Sequence, residues 1–185
     1  MFTNSTSRRA HALVAAAAGV ALALLPAAAS AQQPIPGVVV AVAPKPNLER
    51  AARLETDALR EESSPKGWRD AAGLYRRAAE LHGSSPEAAT LHRRAAWLYS
   101  AVGDYGKGRQ QLERSARIAL DRGDVVRAAN TLYDAALMAA TGRDVRATDQ
   151  TIARLNVLLA APLMPDDVRA GMKERLGAPA RLARR

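Results

Sequence analysis

From Asn47 onward, apolar residues recur three and four positions apart, the period of an amphipathic helix, and short turn signals break the pattern at even intervals. Asn47 is placed to cap a first helix carrying Leu48, Ala51, Ala52, Leu54, Ala58 and Leu59, which stops before Ser63-Ser64-Pro65. A second holds Trp68, Ala71, Ala72, Tyr75, Ala78, Ala79 and Leu81 and ends at His82-Gly83. Ser85 caps a third with Pro86 at its first position, and Gly103-Asp104 turns the chain into a fourth that closes at Arg122-Gly123. Asp124 opens a fifth that runs to Gly142, and Asp144 opens a sixth that ends near Ala161. Turns this short force each helix back along its neighbour, which predicts three antiparallel hairpins. Pro165-Asp166-Asp167 then starts a capping helix within residues 162–177, with Val168, Met172 and Leu176 as its apolar stripe. Residues 178–185 read as a frayed basic tail.

Upstream of Asn47 the pattern is different. Pro34, Pro36, Pro44 and Pro46 exclude a helix from residues 32–46, and Val38 to Val42 reads either as an extended strand or as part of a tether. Residues 1–31 have the layout of a cleaved export signal: Arg8 and Arg9, an uncharged apolar run from Ala12 to Leu25, and Ala29-Ser30-Ala31 as a small-x-small cleavage site. That run falls short of the ~20 residues that span a bilayer. The expected product begins at Gln32, has no membrane span, and is periplasmic or secreted. A chain without Cys fits an oxidising compartment.

The hairpins repeat. Lys66-Gly67-Trp68, Gly103-Asp104-Tyr105 and Gly142-Arg143-Asp144 follow one another at spacings of 37 and then 39, and the pairs Ala88-Ala89 and Ala95-Ala96 match Ala128-Ala129 and Ala135-Ala136 at a spacing of 40. A helix-turn-helix unit recurring at this length marks an α-solenoid. Between Leu91 and Ala119, Ala96 and Tyr99 in the first helix, Gly103 and Tyr105 at the turn, and Gly108 and Ser115 in the second helix form a recognisable set. On these positions the segment resembles a tetratricopeptide repeat. Trp68, Ala71, Tyr75 and Ala78 match the second-helix half in the first hairpin, and Ala135, Gly142 and Ala147 match in the third, where Asp134 takes a usually apolar position.

The resemblance covers residues 47–161 and implies an all-α fold: a short right-handed α-solenoid of about three antiparallel helix hairpins plus a C-terminal capping helix. Small residues such as Ala96 and Gly108 are then expected where helices nearly touch, with Trp68, Tyr75, Trp97, Tyr99, Tyr105 and Tyr133 filling the gaps between hairpins. The resemblance also implies a concave face built from the first helix of each hairpin, lined by Thr90, Arg93, Trp97 and Ser100, and by Thr56 and Arg60 in the hairpin before. The family's peptide-carboxylate clamp uses Lys and Asn in this groove, and Arg93 and Trp97 stand at two of those positions. They offer a guanidinium for an acidic group and an aromatic anchor, unless Trp97 is core between hairpins. The implied role is a noncatalytic scaffold that binds a protein or peptide partner.

Composition narrows the alternatives. With 42 Ala, no Cys and 4% aromatic residues in 185, the chain is neither a disulfide scaffold nor a β-sandwich. Past the leader, His82 and His92 are the only histidines, no His-x-x-x-His or Cys pair occurs, and no metal or cofactor is expected. Glu61-Glu62 and Asp166-Asp167 sit at helix ends with no nucleophile or base beside them, so no catalytic set is expected either. The net charge of +9 offers a second reading, nonspecific binding to an anionic envelope polymer or surface. Residues 162–185, with six basic and three acidic side chains, carry much of that surplus. No basic stripe with interleaved aromatics appears, so sequence-specific nucleic-acid binding is not expected. Association into a homodimer through Ala-rich ends stays open.

Overall fold

The protein is described by a computed structural model over residues 47–185; the expected leader at 1–31 and the Pro/Val-rich segment at 32–46 lie outside the described residues. Helix starts follow local chemistry. Asn47, Ser85, Asp104, Asp124 and Asp144 each accept a hydrogen bond from the backbone N–H three positions on, at 2.9–3.3 Å. They open α1 (Leu48–Glu62), α3 (Pro86–Ala101), α4 (Tyr105–Asp121), α5 (Val125–Thr141) and α6 (Val145–Leu159). Helix α2 (Trp68–His82) instead follows a 3-10 turn at Pro65–Gly67, and Trp68 donates its indole N–H to the Glu62 carbonyl to fix that corner.

Left-handed backbone occurs at Gly83, Gly103, Gly123 and Arg143, evenly spaced along the chain, so each hairpin spans two of these intervals and the repeat takes a register of 40. The last of these corrects the expected turn alignment. Arg143, at φ 58°, takes the left-handed position, whereas Gly142 has φ −76°. Gly142 is small for another reason: a Cβ there would stand 2.9 Å from the Tyr105 Cβ.

Each of the first six helices packs chiefly on the helix before and after it, and no extensive contact joins α1 to α4 or α6. The array is therefore open-ended, a short all-α solenoid rather than a closed bundle. Ion pairs link alternate helices: Arg94 of α3 reaches Glu62 of α1 at 2.7 Å, Arg114 of α4 reaches Glu80 of α2 at 2.9 Å, and Arg154 of α6 reaches Glu113 of α4 at 3.4 Å. Helices α1, α3 and α5 thus form one row and α2, α4 and α6 the other.

The interior is built mainly from alanine. Ala71, Ala72, Ala78, Ala88, Ala95, Ala96, Ala128, Ala135 and Ala136 are fully buried. Side chains this small stabilise only when backbones approach closely, because each contributes little apolar area. The approach is close at the expected pair: a Cβ on Gly108 would meet the Ala96 carbonyl oxygen at 2.9 Å and Met138 Sδ at 3.0 Å. Nearby, Ser115 donates its hydroxyl to the Ala89 carbonyl at 2.9 Å, so the helix crossing leaves no orphaned polar atom. Tyr75, Tyr99 and Tyr133 are buried as expected, but Trp97 is not a gap filler; it is 57% exposed.

Helix α7 (Asp166–Arg175) begins where the acids predict, and Met172 is buried beneath it. Arg169 secures the join. Its guanidinium donates to the carbonyls of Leu159, Ala161 and Met164 and to Asp166, satisfying the end of α6. The expected frayed tail at 178–185 is instead mostly helical. Helix α8 (Gly177–Ala183) packs on α5 and α6 and buries Pro179 and Ala183, so tertiary contact overrides the stop signals of Gly177 and Pro179.

Candidate functional site

Thr90, Arg93, Trp97 and Ser100 follow one another at steps of three, four and three, which places them on one side of α3. The other sides of α3 are committed to packing through Ala88, Leu91, Ala95, Ala96 and Tyr99. Thr90, Arg93 and Trp97 are exposed and Ser100 is half-buried. The Thr90 hydroxyl donates to the Pro86 carbonyl at 3.1 Å and is held by its own helix.

Thr56 and Arg60 lie on α1. Thr56 donates to the Ala52 carbonyl and lines a shallow depression with Ala52, Arg53 and Asp57, all residues of the same helix. Arg60 pairs with Asp57 at 3.2 Å. The four α3 residues thus form one stripe, and Thr56 and Arg60 lie on α1.

What joins α1 to α3 is a node the sequence did not reveal. Glu62 accepts from the Tyr75 hydroxyl at 2.7 Å and from Arg94 at 2.7 Å, while the Arg94 guanidinium lies 4.7 Å from the Tyr75 ring centre. Burial and the hydrogen bond to Glu62 push the Tyr75 phenol well above its ordinary value. This tyrosine therefore stays neutral and acts as a structural donor.

Two further charged residues border the α3 stripe. Asp134 of α5 is half-buried; burial raises its carboxyl, and the positive charges of Arg175 and Arg93 partly offset that. Arg175 of α7 lies 4.3 Å from the Tyr133 ring centre. Helix α8 covers part of α5, where Tyr133 and Ala140 are buried, so the exposed first-helix surface consists of α1 and α3. The sequence did flag Asp134 as an acid in an apolar position. Its charged neighbours come from α3 on one side and α7 on the other, both remote in sequence, and no local pattern names them.

His82 and His92 are both paired within the fold. His92, buried, pairs its Nδ1 with Gln111 Oε1 at 2.9 Å, and His82 pairs its Nε2 with Glu55 at 2.8 Å, closing α1 on α2. Among the described residues no group of three or more His, Asp or Glu side chains is placed to hold a metal ion, and no helix is long and apolar enough to cross a membrane. Comparison with known proteins gives no significant match to any protein family, curated protein or solved structure.

Proposed function

We propose that the chain is an exported, noncatalytic interaction module, similar to tetratricopeptide-repeat proteins, that binds a protein or peptide partner along the α3 stripe. The observation that carries this reading is Trp97. A tryptophan 57% exposed on a stable helix, one turn from the exposed Arg93, leaves a large apolar area in water, which a partner would cover. The close approach of Gly108 to Ala96 supports the repeat-like packing that presents this face. Export to the periplasm or beyond rests on the leader pattern, and N-terminal sequencing of the exported protein is expected to begin at Gln32.

The test is the double variant Arg93→Ala with Trp97→Ala. Both side chains are exposed, so the helical circular dichroism signal and melting temperature should barely change, in keeping with surface substitutions of about 0.5 kcal/mol or less. Capture of one defined partner from envelope extract should be lost. Capture that survives the substitutions but vanishes at moderate salt for any anionic polymer would favour the alternative, nonspecific attraction by the basic surface.

A further inference from the structure

Helices α4 and α6 leave an open groove of about 340 Å³ between them, on the row of helices that does not carry Trp97. Ala116 and Leu132 form its floor, Leu120, Val157 and Leu158 its walls, and Arg117, Arg154 and Glu113 its polar rim. Val157 is 75% exposed and Leu120 41% exposed. Apolar side chains left in water along a groove are the surface feature that marks docking sites.

The repeat shows what is missing here. One repeat earlier, the junction of α2 with α4 is filled by charge: Glu80 accepts from Arg76 at 2.7 Å and from Arg114 at 2.9 Å, above the buried His92–Gln111 pair. Shifted by one repeat, Arg76 becomes Ala116, Glu80 becomes Leu120, His92 becomes Leu132, Gln111 becomes Thr151 and Arg117 becomes Val157, while Arg77 and Arg114 are kept as Arg117 and Arg154. Of the two arginines that hold Glu80, Arg114 persists as Arg154 and Arg76 is lost to Ala116, and the carboxylate itself is gone. Arg154 makes only a long contact, 3.4 Å, to Glu113, which is already bound at 2.7 Å by Arg109. Arg117 has no ion pair among the described residues.

We propose that the α4–α6 groove docks an acidic amphipathic helix of a partner protein. Its apolar side chains, spaced i, i+4 and i+7, cover Leu120, Leu132 and Val157, and its carboxylates take the place of Glu80 opposite Arg117 and Arg154. The rim carries two arginines against one carboxylate, Glu113, which Arg109 already holds at 2.7 Å, and this net positive charge selects an acidic occupant over a second copy of the chain, whose rim has the same sign.

The probe is a fluorescein-labelled peptide of about 16 residues, with leucines at helix spacing and glutamates on either side, titrated into the full chain. A matched peptide with lysines in place of the glutamates serves as control. The acidic peptide is expected to bind saturably and the lysine peptide at least about tenfold more weakly. Val157→Glu should weaken the acidic peptide by about tenfold or more, and Arg117→Glu should narrow or invert the preference between the two peptides. Both residues are exposed, and circular dichroism checks that each variant stays folded. Arg93→Ala with Trp97→Ala should leave this binding unchanged, which keeps the test separate from the α3 reading. No saturable binding up to about 1 mM, equal affinity for the two peptides, or indifference to both groove variants would overturn the proposal. So would a concentration-dependent dimer abolished by Val157→Glu, because the groove would then belong to a second copy.

Discussion

The α2–α4 and α4–α6 junctions are the same structural joint built twice, one repeat apart, with opposite chemistry. The first is polar throughout: Arg76, Glu80 and Arg114 outside, and His92 with Gln111 inside. The second is polar at one end, where Glu113 takes Arg109 and Arg154, and apolar along the rest. Geometry alone therefore does not require either solution. A joint that closes with charge satisfies itself, whereas one that keeps Leu120 and Val157 in water forgoes their burial. That difference singles out the α4–α6 joint as the one whose apolar side chains the described chain leaves uncovered.

Filled and unfilled space should respond differently to added bulk, and this contrast carries the largest expected effect. Gly108→Leu forces atoms into the Ala96 carbonyl and Met138, where a Cβ already stands at 2.9 and 3.0 Å, and overpacking of this kind costs about 1–3 kcal/mol. Val157→Leu adds a methylene to the open groove and should leave stability unchanged. Thermal melts of the two variants should differ by several degrees, on the scale of ~2–8 °C per kcal/mol for chains of this size. Equal shifts would mean that the Gly108 crossing is loose, and the close-packed account of the alanine core would fail.

The next effect tests the polar interior of the first junction. Gln111→Leu leaves the buried His92 Nδ1 without its 2.9 Å partner, an expense of about 1–3 kcal/mol. Thr151→Val, the same position one repeat on, should cost less, because the Thr151 hydroxyl bonds chiefly within its own helix, to the Ala147 carbonyl at 2.8 Å. Chemical denaturation of both variants measures the difference. Changing His92 and Gln111 together to leucine should recover part of the loss in the single variant, since no polar atom is then stranded.

Much of this architecture is legible in sequence because its signals are local. Asn47, Ser85, Asp104, Asp124 and Asp144 announce helix starts through their own side chains, and the Ala96–Gly108 crossing was expected from the resemblance to a helical repeat. What the sequence hid depends on distant partners. Helix α8 forms across Gly177 and Pro179 because α5 offers it a surface, and the left-handed turn falls on Arg143, while Gly142 serves to clear Tyr105. Of the candidate site, the α3 residues were named by the resemblance to a helical repeat. Whether Trp97 faced water or core was not legible, because helical period fixes a direction and leaves open what lies there. The contrast between Glu80 and Leu120 is also invisible when the repeats are aligned on the turns at Gly67, Gly103 and Gly142. The register of 40 shared by the alanine pairs and by the left-handed positions Gly103 and Arg143 brings the two into correspondence.

Acid should separate the junctions as well. Burial holds His92 below its ordinary value, with the Gln111 hydrogen bond acting the other way and the charges of Arg114, Glu80 and Arg76 nearby. Below pH ~6.5 the unfolded chain then binds a proton at this site that the folded chain refuses, so stability falls with falling pH, by at most about 1.4 kcal/mol per pH unit for one group. Asp134 has the opposite sign. Its carboxyl is raised by burial, so the folded form takes up a proton before the unfolded one, and stability is regained as pH falls through that raised value toward ~3.8. Urea midpoints between pH ~7.5 and ~5.5 should decline in the wild-type chain and decline less in the His92→Leu, Gln111→Leu double variant. A double variant with an unchanged slope would move the acid sensitivity away from the first junction.

The smallest stability effect, and the sharpest for the comparison, comes from transplanting the missing carboxylate. Leu120→Glu writes Glu80 into the second junction, opposite Arg154 and beside Arg117, which are the next-repeat counterparts of Arg114 and Arg77. Leu120 is 41% exposed, so its removal gives up little buried area, and a partly exposed ion pair returns no more than about 1 kcal/mol. The net change in unfolding free energy should therefore lie within about 1 kcal/mol of zero at low salt, with any gain disappearing as salt is raised. Binding should respond far more strongly, because the new glutamate neutralises the rim and removes an apolar wall at once: the acidic peptide should lose about tenfold or more in affinity. A variant that is markedly destabilised would show Leu120 to be core, and one that binds the acidic peptide as well as the parent would show that the two junctions differ in sequence without differing in use.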